Sequence, residues 1–379
     1  MTFNKKVLAG LVAFAAASTS AQAVTVAAND GWELGVSGLI NQFVTFTDAD
    51  GADNITEVRD GLLPAFLNFD LKAPTMNGLD IAAHISISPS TNGQSYQDGV
   101  TSTLGNAMEQ REAYFTVDGS FGQILAGKAL GLYGSHNILT DQTLFGVGYG
   151  TAGNLQTTLG GINLGYDYAN WRSQIKWTSV DMNGFKVAVA IMDPNTGTSI
   201  GANSDQEDLR FEADLSYAGS FDGGSYSAWL SAMNQDNEGV IADNKAWTVG
   251  GTLAVAGFEA MAQYSDSEQG DFGNAAGFDS TLNVTTAAVA PTNAKAEYSQ
   301  YIVQAGYRFA GTTLVSAQYT EREDENAAAD GSDFDTEKWT VGVYHDVNAN
   351  LKLVAEYTNV EDDADNEVDI VSLGGFVFF

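Results

Sequence analysis

No cysteine occurs in the chain, and there are only five prolines and three histidines. The first absence excludes a disulfide scaffold and any thiolate metal centre, so stability has to come from burial or from a closed hydrogen-bond network. His84, His136 and His345 are the only histidines, and neither a Gly-x-Ser-x-Gly element nor a His-Glu-x-x-His pair is present. A positioned general base is therefore hard to assemble. Enzymatic chemistry is not expected, and no cofactor is implied. Basic residues are scarce as well: 16 Lys and Arg stand against 48 Asp and Glu, a net charge of -32. Nucleic-acid binding requires phosphates to be neutralised by Lys and Arg, so nucleic acid is excluded and cations are the natural partners. Long apolar runs are missing after the N-terminus, and the mean hydropathy is -0.11. Membrane-spanning strands alternate in polarity, however, and escape that test.

What is present begins with an N-terminal leader. Asn4-Lys5-Lys6 is basic, Val7 to Ala17 is apolar, and Ala21-Gln22-Ala23 offers small residues for cleavage. This layout predicts a secretory signal over residues 1–23 and a mature domain over 24–379. The apolar run is too short to span a bilayer as a helix, which takes about 20 residues. Removal of Lys5 and Lys6 leaves the mature chain two charges more negative.

The other end is a strand. Counting back by twos from the terminus gives Phe379, Val377, Gly375, Leu373 and Val371. Side chains two apart share one face of a strand, so this face is almost wholly apolar. An open apolar edge invites aggregation, and pairing with the first strand to close a barrel removes it. Segments of about ten residues with alternating polarity recur throughout the chain. They begin near Trp32, Arg59, Leu79, Met108, Gly122, Trp171, Gly184, Asp208, Gly224, Asn244, Gly257, Glu297, Gly311, Thr336, Leu351 and Val368.

Several of these strands phase cleanly. Leu209, Phe211, Ala213, Leu215 and Tyr217 oppose Arg210, Glu212, Asp214 and Ser216; Trp171, Ile175 and Trp177 oppose Arg172, Gln174 and Lys176. The polar parity carries charge and glutamine, which suits a water-filled lumen better than the dry interior of a sandwich. The expected fold is therefore all-β, a transmembrane antiparallel barrel of about sixteen strands. Arg172, Lys176, Arg210 and Glu212 are candidate lumen residues on this phasing. Arg111 to Val117 phases poorly, and either parity could face the lumen.

Connections alternate short and long, as in outer-membrane barrels. Asp181–Asn183, Ala256-Gly257, Ala310-Gly311 and Val347–Asn350 are short. Asp48–Glu57, Asp193–Glu207, Ser267–Ala296 and Arg322–Asp335 are long. The longest interruption, from Leu130 to Asn170, holds only two acids, Asp141 and Asp167. Its neutrality beside acidic neighbours predicts that it folds against protein, and loops of this length in compact domains are usually functional.

Arg111-Glu112-Ala113-Tyr114-Phe115, Gly122-Gln123-Ile124-Leu125-Ala126-Gly127-Lys128, the long third loop, Ser173–Ser179 and the terminal Phe379 together resemble a Gram-negative trimeric porin of the general-diffusion type. The resemblance implies a homotrimer of sixteen-stranded barrels whose third loop folds into the lumen at the narrowest point. It implies that Phe379 is an assembly signal, that Arg111 and Lys128 are basic residues near the constriction, with Arg59 a further one, and that Asp141 is the acid facing them. The acidic Pro-Glu-Phe-Gly-Gly type of element found in the family is replaced here by Thr143-Leu144-Phe145-Gly146-Val147-Gly148.

Acid clusters such as Glu361-Asp362-Asp363-Ala364-Asp365 admit two readings: solvated loop tips, the commoner case, or divalent-cation bridges to lipopolysaccharide. Trp32, Phe43, Phe69, Trp171, Trp177, Trp247, Trp339, Tyr357 and Phe379 read as interfacial girdles. Tyr344 and Trp229, on the polar parity, are the candidates for a sugar-stacking slide. Three functions remain open: a passive, cation-preferring channel for ions and small hydrophilic solutes; a channel specific for a saccharide or another nutrient; or an adhesion or receptor barrel working through its loops.

Overall fold

The computed structural model describes residues 24–89, 91, 108–150, 158–194, 209–236, 243–268, 297–325 and 333–379. The leader and most of the long loops other than the third lie outside the described residues. The strands are β1 (Val24–Asn29), β2 (Trp32–Ala49), β3 (Ile55–Arg59), β4 (Phe66–Lys72), β5 (Asp80–Pro89), β6 (Met108–Gly119) and β7 (Gly122–Leu130). The third loop follows, with a short helix α1 (Ser135–Thr140), a 3-10 turn over Gln142–Phe145 and a two-stranded ribbon of β8 (Tyr149–Gly150) and β9 (Thr158–Gly160). The wall then resumes with β10 (Trp171–Thr178), β11 (Phe185–Met192), β12 (Arg210–Phe221), β13 (Gly224–Gln235), β14 (Asn244–Val255) and β15 (Phe258–Glu268). It ends with β16 (Glu297–Phe309), β17 (Thr313–Asp324), β18 (Phe334–Asn348), β19 (Leu351–Asp362) and β20 (Glu367–Phe378).

Every wall strand pairs antiparallel with its neighbours, and β20 returns to β2 from Leu39↔Phe378 to Ala49↔Val368. The sheet contains 18 strand segments, but they fill 16 positions of a closed barrel. Two positions are composite. β1 lies on the same edge of β2 as β20, with Val24 opposite Val36 and Phe378 opposite Leu39. β3 and β4 share the other edge, Arg59 opposite Phe43 and Phe66 opposite Leu39. The strand expected near Arg59 is thus broken, because residues 60–65 leave the wall and turn inward, where Leu62 N–H donates to Gly146 O at 2.9 Å.

Closure satisfies the backbone donors and acceptors of each strand on both sides, which a membrane requires. The outward parity is apolar: Leu373, Val377 and Phe379 are exposed beside buried Ser372, Phe376 and Phe378. One end of the barrel is closed by tight turns. Ala256-Gly257 and Ala310-Gly311 both hold left-handed backbone at each central residue, with φ of 50° and 90°, and of 48° and 76°. That is the twist a two-residue hairpin needs.

The poor phasing at Arg111 has a cause in the ladder. β5 and β6 pair Ser86↔Glu112 and then Ser88↔Glu109, so two residues of β6 oppose one of β5. This β-bulge shifts the parity. Arg111 and Glu112, adjacent in sequence, both point inward: Arg111 Nε meets Glu109 Oε2 at 2.5 Å, and Glu112 Oε2 meets His84 Nε2 at 3.2 Å.

Candidate functional site

The narrowing is built from the third loop outward. Its ends leave and rejoin the wall side by side, Gly131 N–H donating to Asn170 O at 2.8 Å. Between them the loop runs along the inner wall, and four carboxylates hold it there. Glu212 Oε2 accepts from the N–H groups of Leu132 and Tyr133 at 2.6 and 2.7 Å. Asp167 accepts from Tyr133, Ser267 and Tyr298 hydroxyls and from Gln300 Nε2, all within 2.6–2.8 Å. Asp141 accepts from Thr143 N–H, Gly161 N–H, Tyr166 Oη and Gln318 Nε2 at 2.8, 3.1, 2.5 and 2.7 Å. Glu356 Oε2 accepts from Val147 and Gly148 N–H at 2.6 and 3.0 Å, and its Oε1 from Tyr344 at 2.5 Å. Charge-assisted bonds of this kind are about twice as strong as neutral ones.

Burial raises the pKa of the Tyr133 and Tyr166 hydroxyls well above the ordinary tyrosine value, with Asp167 and Asp141 adding to it. Both are thus neutral donors at physiological pH. Burial, with Asp362 nearby, pushes Tyr149 up to about 12. The loop's tip is apolar. Phe145 sits edge-on to Phe376 and Phe378, with ring centroids 5.6 and 6.1 Å away, and Lys352 Nζ lies 5.2 Å from its ring. Gly146 has no room for a side chain, because a Cβ there would run into the Glu356 carboxylate.

The wall supplies the charge. Arg59 bonds Glu57 at 2.8 Å, Arg210 bonds Glu212 at 2.6 Å and Arg322 bonds Asp324 at 2.7 Å. Each pair is spaced i,i+2 on one strand, as is Arg111 with Glu109, so each lies on one face. Arg172 donates to Asp193 O and Pro194 O at 3.1 and 3.2 Å. His84 spans Asp70 and Glu112 while stacking on Tyr114. Among the described residues no group of three or more His, Asp or Glu side chains is disposed to hold a metal ion.

Of the residues singled out in the sequence, Arg59, Arg111, Arg172, Lys176, Arg210 and Glu212 lie on the inward parity. Lys128 does not. It pairs with Ser173 and Ala113 on the outward face, between rows that carry Ile175 and Phe115. β7 is apolar on both parities, so its sequence gave no phase. Asp141 is inside the barrel but is turned into the wall and 4% exposed, so it faces no arginine across the passage. The loop's part-exposed side chains among the described residues are His136, Leu139, Thr140, Phe145 and Tyr149. His136 stacks on Trp229 and approaches Asp214 at 3.3 Å.

Two girdle aromatics also lie inside: Phe43 is buried against Phe376, and Trp171 donates to Tyr168. Tyr344 and Trp229 form no slide, because the loop covers both, Trp229 donating to Asn137 Oδ1 at 2.9 Å. The i,i+2 acid–base pairs were the readable signal for Glu57, Glu109 and Asp324, which the strand phasing passed over.

Comparison with known proteins agrees with this architecture. The family described as Gram-negative porin matches residues 8–365. No curated protein sequence matches. Among solved structures, an anion-selective porin from Comamonas acidovorans superposes with a TM-score of 0.64 at 14% identity, covering 92% of this chain and 100% of that one. OmpF of Salmonella typhi, in complex with daunomycin, gives 0.63 at 14% identity over 93% and 99%. The outer-membrane channel DcaP of Acinetobacter baumannii gives 0.62 at 13% identity over 94% and 100%. At such identities the likeness is one of fold.

Proposed function

As the chain belongs to the Gram-negative porin family, an outer-membrane channel by its barrel, we propose that it passes ions and small hydrophilic solutes by passive diffusion and prefers cations. The observation that carries this reading is the sorting of basic residues by parity. Among the described strands, the only Lys and Arg residues on the outward face are Lys128 and Lys245. The rest line the interior, with a loop fastened along part of the wall to narrow it.

Cation preference is argued from how that charge is balanced. Arg59, Arg111, Arg210 and Arg322 sit beside carboxylates and cancel locally, whereas the excess acid of a chain with net charge -32 is left to the loops and rim. An acidic mouth concentrates cations before they enter.

The mature chain is proposed to start at Val24, after loss of a signal over 1–23, and to assemble as a homotrimer. Lys128 on the outward parity supports a protein neighbour, since a charge facing lipid costs up to about 2–4 kcal/mol at mid-bilayer. Acidic rims meeting lipopolysaccharide through divalent cations complete the proposal.

The test is the zero-current potential of the purified protein in a planar bilayer under a salt gradient. Reproducible open steps with a cation-selective sign are expected. Steps with an anion-selective sign would overturn the preference, and a folded barrel without steps would overturn the channel itself.

A further inference from the structure

Resting on the channel reading above, we propose that Lys176 sets the ion preference of the narrow passage by acting as a resident counter-ion. Lys176 projects inward from β10 and is 6% exposed, yet its ammonium makes no hydrogen bond or ion pair among the described residues. Arg59, Arg111, Arg210 and Arg322 each have a carboxylate two positions away on their own strand. The positions two away from Lys176 are Gln174 and Thr178, and its partners across the ladder are Leu125 and Ala190. Neither its own strand nor either neighbouring strand offers it an acid beside it.

The carboxylates whose charge reaches it are Glu212, Asp214 and Glu112. Each is already engaged: Glu212 by Arg210 and two backbone N–H groups, Asp214 by Ser231 and His136, Glu112 by His84. Glu212 and Asp214 meet the loop at Leu132, Tyr133 and His136, so Lys176 stands at the height of the narrowing. The side chain is packed along its length, but its ammonium is not closed off from the lumen. Here the ammonium is left in the field of three carboxylates and bonded to none, the position a permeant cation would otherwise take.

Neutralising it should let a permeant cation take that place. A unit charge about 10 Å away in water-like dielectric changes the population of a monovalent ion by about twofold, with opposite signs for cation and anion. The cation-to-anion permeability ratio of Lys176→Gln should therefore rise by about fourfold at low salt.

The experiment measures reversal potentials of the full-length mature protein in planar bilayers, in a potassium chloride gradient, for the parent, K176Q, K176M, K176R and K245Q. K176Q and K176M should shift toward cations while K176R and the outward-facing K245Q stay with the parent. E112Q, which keeps the lysine and removes one of its carboxylates, should shift the other way, and it tests the idea independently should the neutral variants not fold. A conducting K176Q with the parent's reversal potential would overturn the proposal, as would K176R shifting as far as K176Q. A parent that folds and does not conduct would instead sink the channel reading.

Discussion

At the scale of single residues, Asp141 shows how position decides the work a charge does. A lone acid in a neutral loop reads as the source of a field across the lumen. In the structure its lone pairs are consumed by donors from three parts of the loop and from Gln318 of β17. Asp141→Ala should therefore act on stability. It strands several buried donors, each worth about 1–3 kcal/mol, so a loss of about 3 kcal/mol is expected. The barrel should lose its heat-resistant migration in detergent gels at a lower temperature, the larger of the two effects beside any change in reversal potential. A shifted potential with unchanged stability would restore the field reading.

Tyr133 and Tyr166 give the same network a pH limit. Burial beside Asp167 and Asp141 raises their folded-state pKa, so folding favours the protonated form. Their contribution is complete below the unfolded tyrosine value of about 10 and is lost as pH rises above it. Stability should fall on the alkaline side, and the Tyr133→Phe, Tyr166→Phe double variant should fall less steeply across that window. Equal slopes in a denaturant series at rising pH would refute it.

At the scale of elements, what could be read was what alternates. β12, β19 and β20 keep strict parity, and their faces were legible from Leu209 to Tyr217 and from Val371 to Phe379. β6 was illegible because its bulge puts Arg111 and Glu112 on the same side, and no composition marks an extra residue in a ladder. Lys128 was misplaced for a related reason: Ile124, Leu125 and Ala126 are apolar whichever way they point, so only pairing with Ser173 fixes the phase.

The inward apolar parity of β20 was also hidden, since Phe376 and Phe378 are buried only once Phe145 arrives from a distant loop. The seam carries an element-scale prediction. A Cβ at Gly38 would meet both Phe66 O and the Phe379 ring, and the backbones of residues 38 and 379 exchange hydrogen bonds at 2.7 and 3.0 Å. Gly38→Val should push the terminal ring off β2 and lower the yield of folded barrel. Wild-type recovery of the heat-modifiable form would show that the ring can be accommodated elsewhere.

At the scale of the whole molecule, two charge systems act over different distances. The interior pairs are in contact and little screened, whereas the acidic loops act through water. The Debye length is about 10 Å at 0.1 M salt and about 3 Å at 1 M. Cation preference arising from the mouth should therefore decline steeply across that range. Preference that persisted unchanged at 1 M would place its origin inside, at Glu112 and Asp214, against the opposing charge of Lys176. The barrel, its closure and the packing of the third loop against protein were legible because they follow from polarity and spacing, and the loop's place in the lumen came from the resemblance; which charges act in the passage depends on contacts between strands far apart in sequence.

The loop's anchorage also imposes an order in time. Residues 131–150 leave the ribosome well before Glu356, Phe376 and Phe378, the groups on which their tip comes to rest. The passage therefore cannot acquire its final width until the last strand has found the first. A chain halted short of its terminus would lack both the seam and the seat of the tip, and narrowing would then serve as the sign that construction is finished.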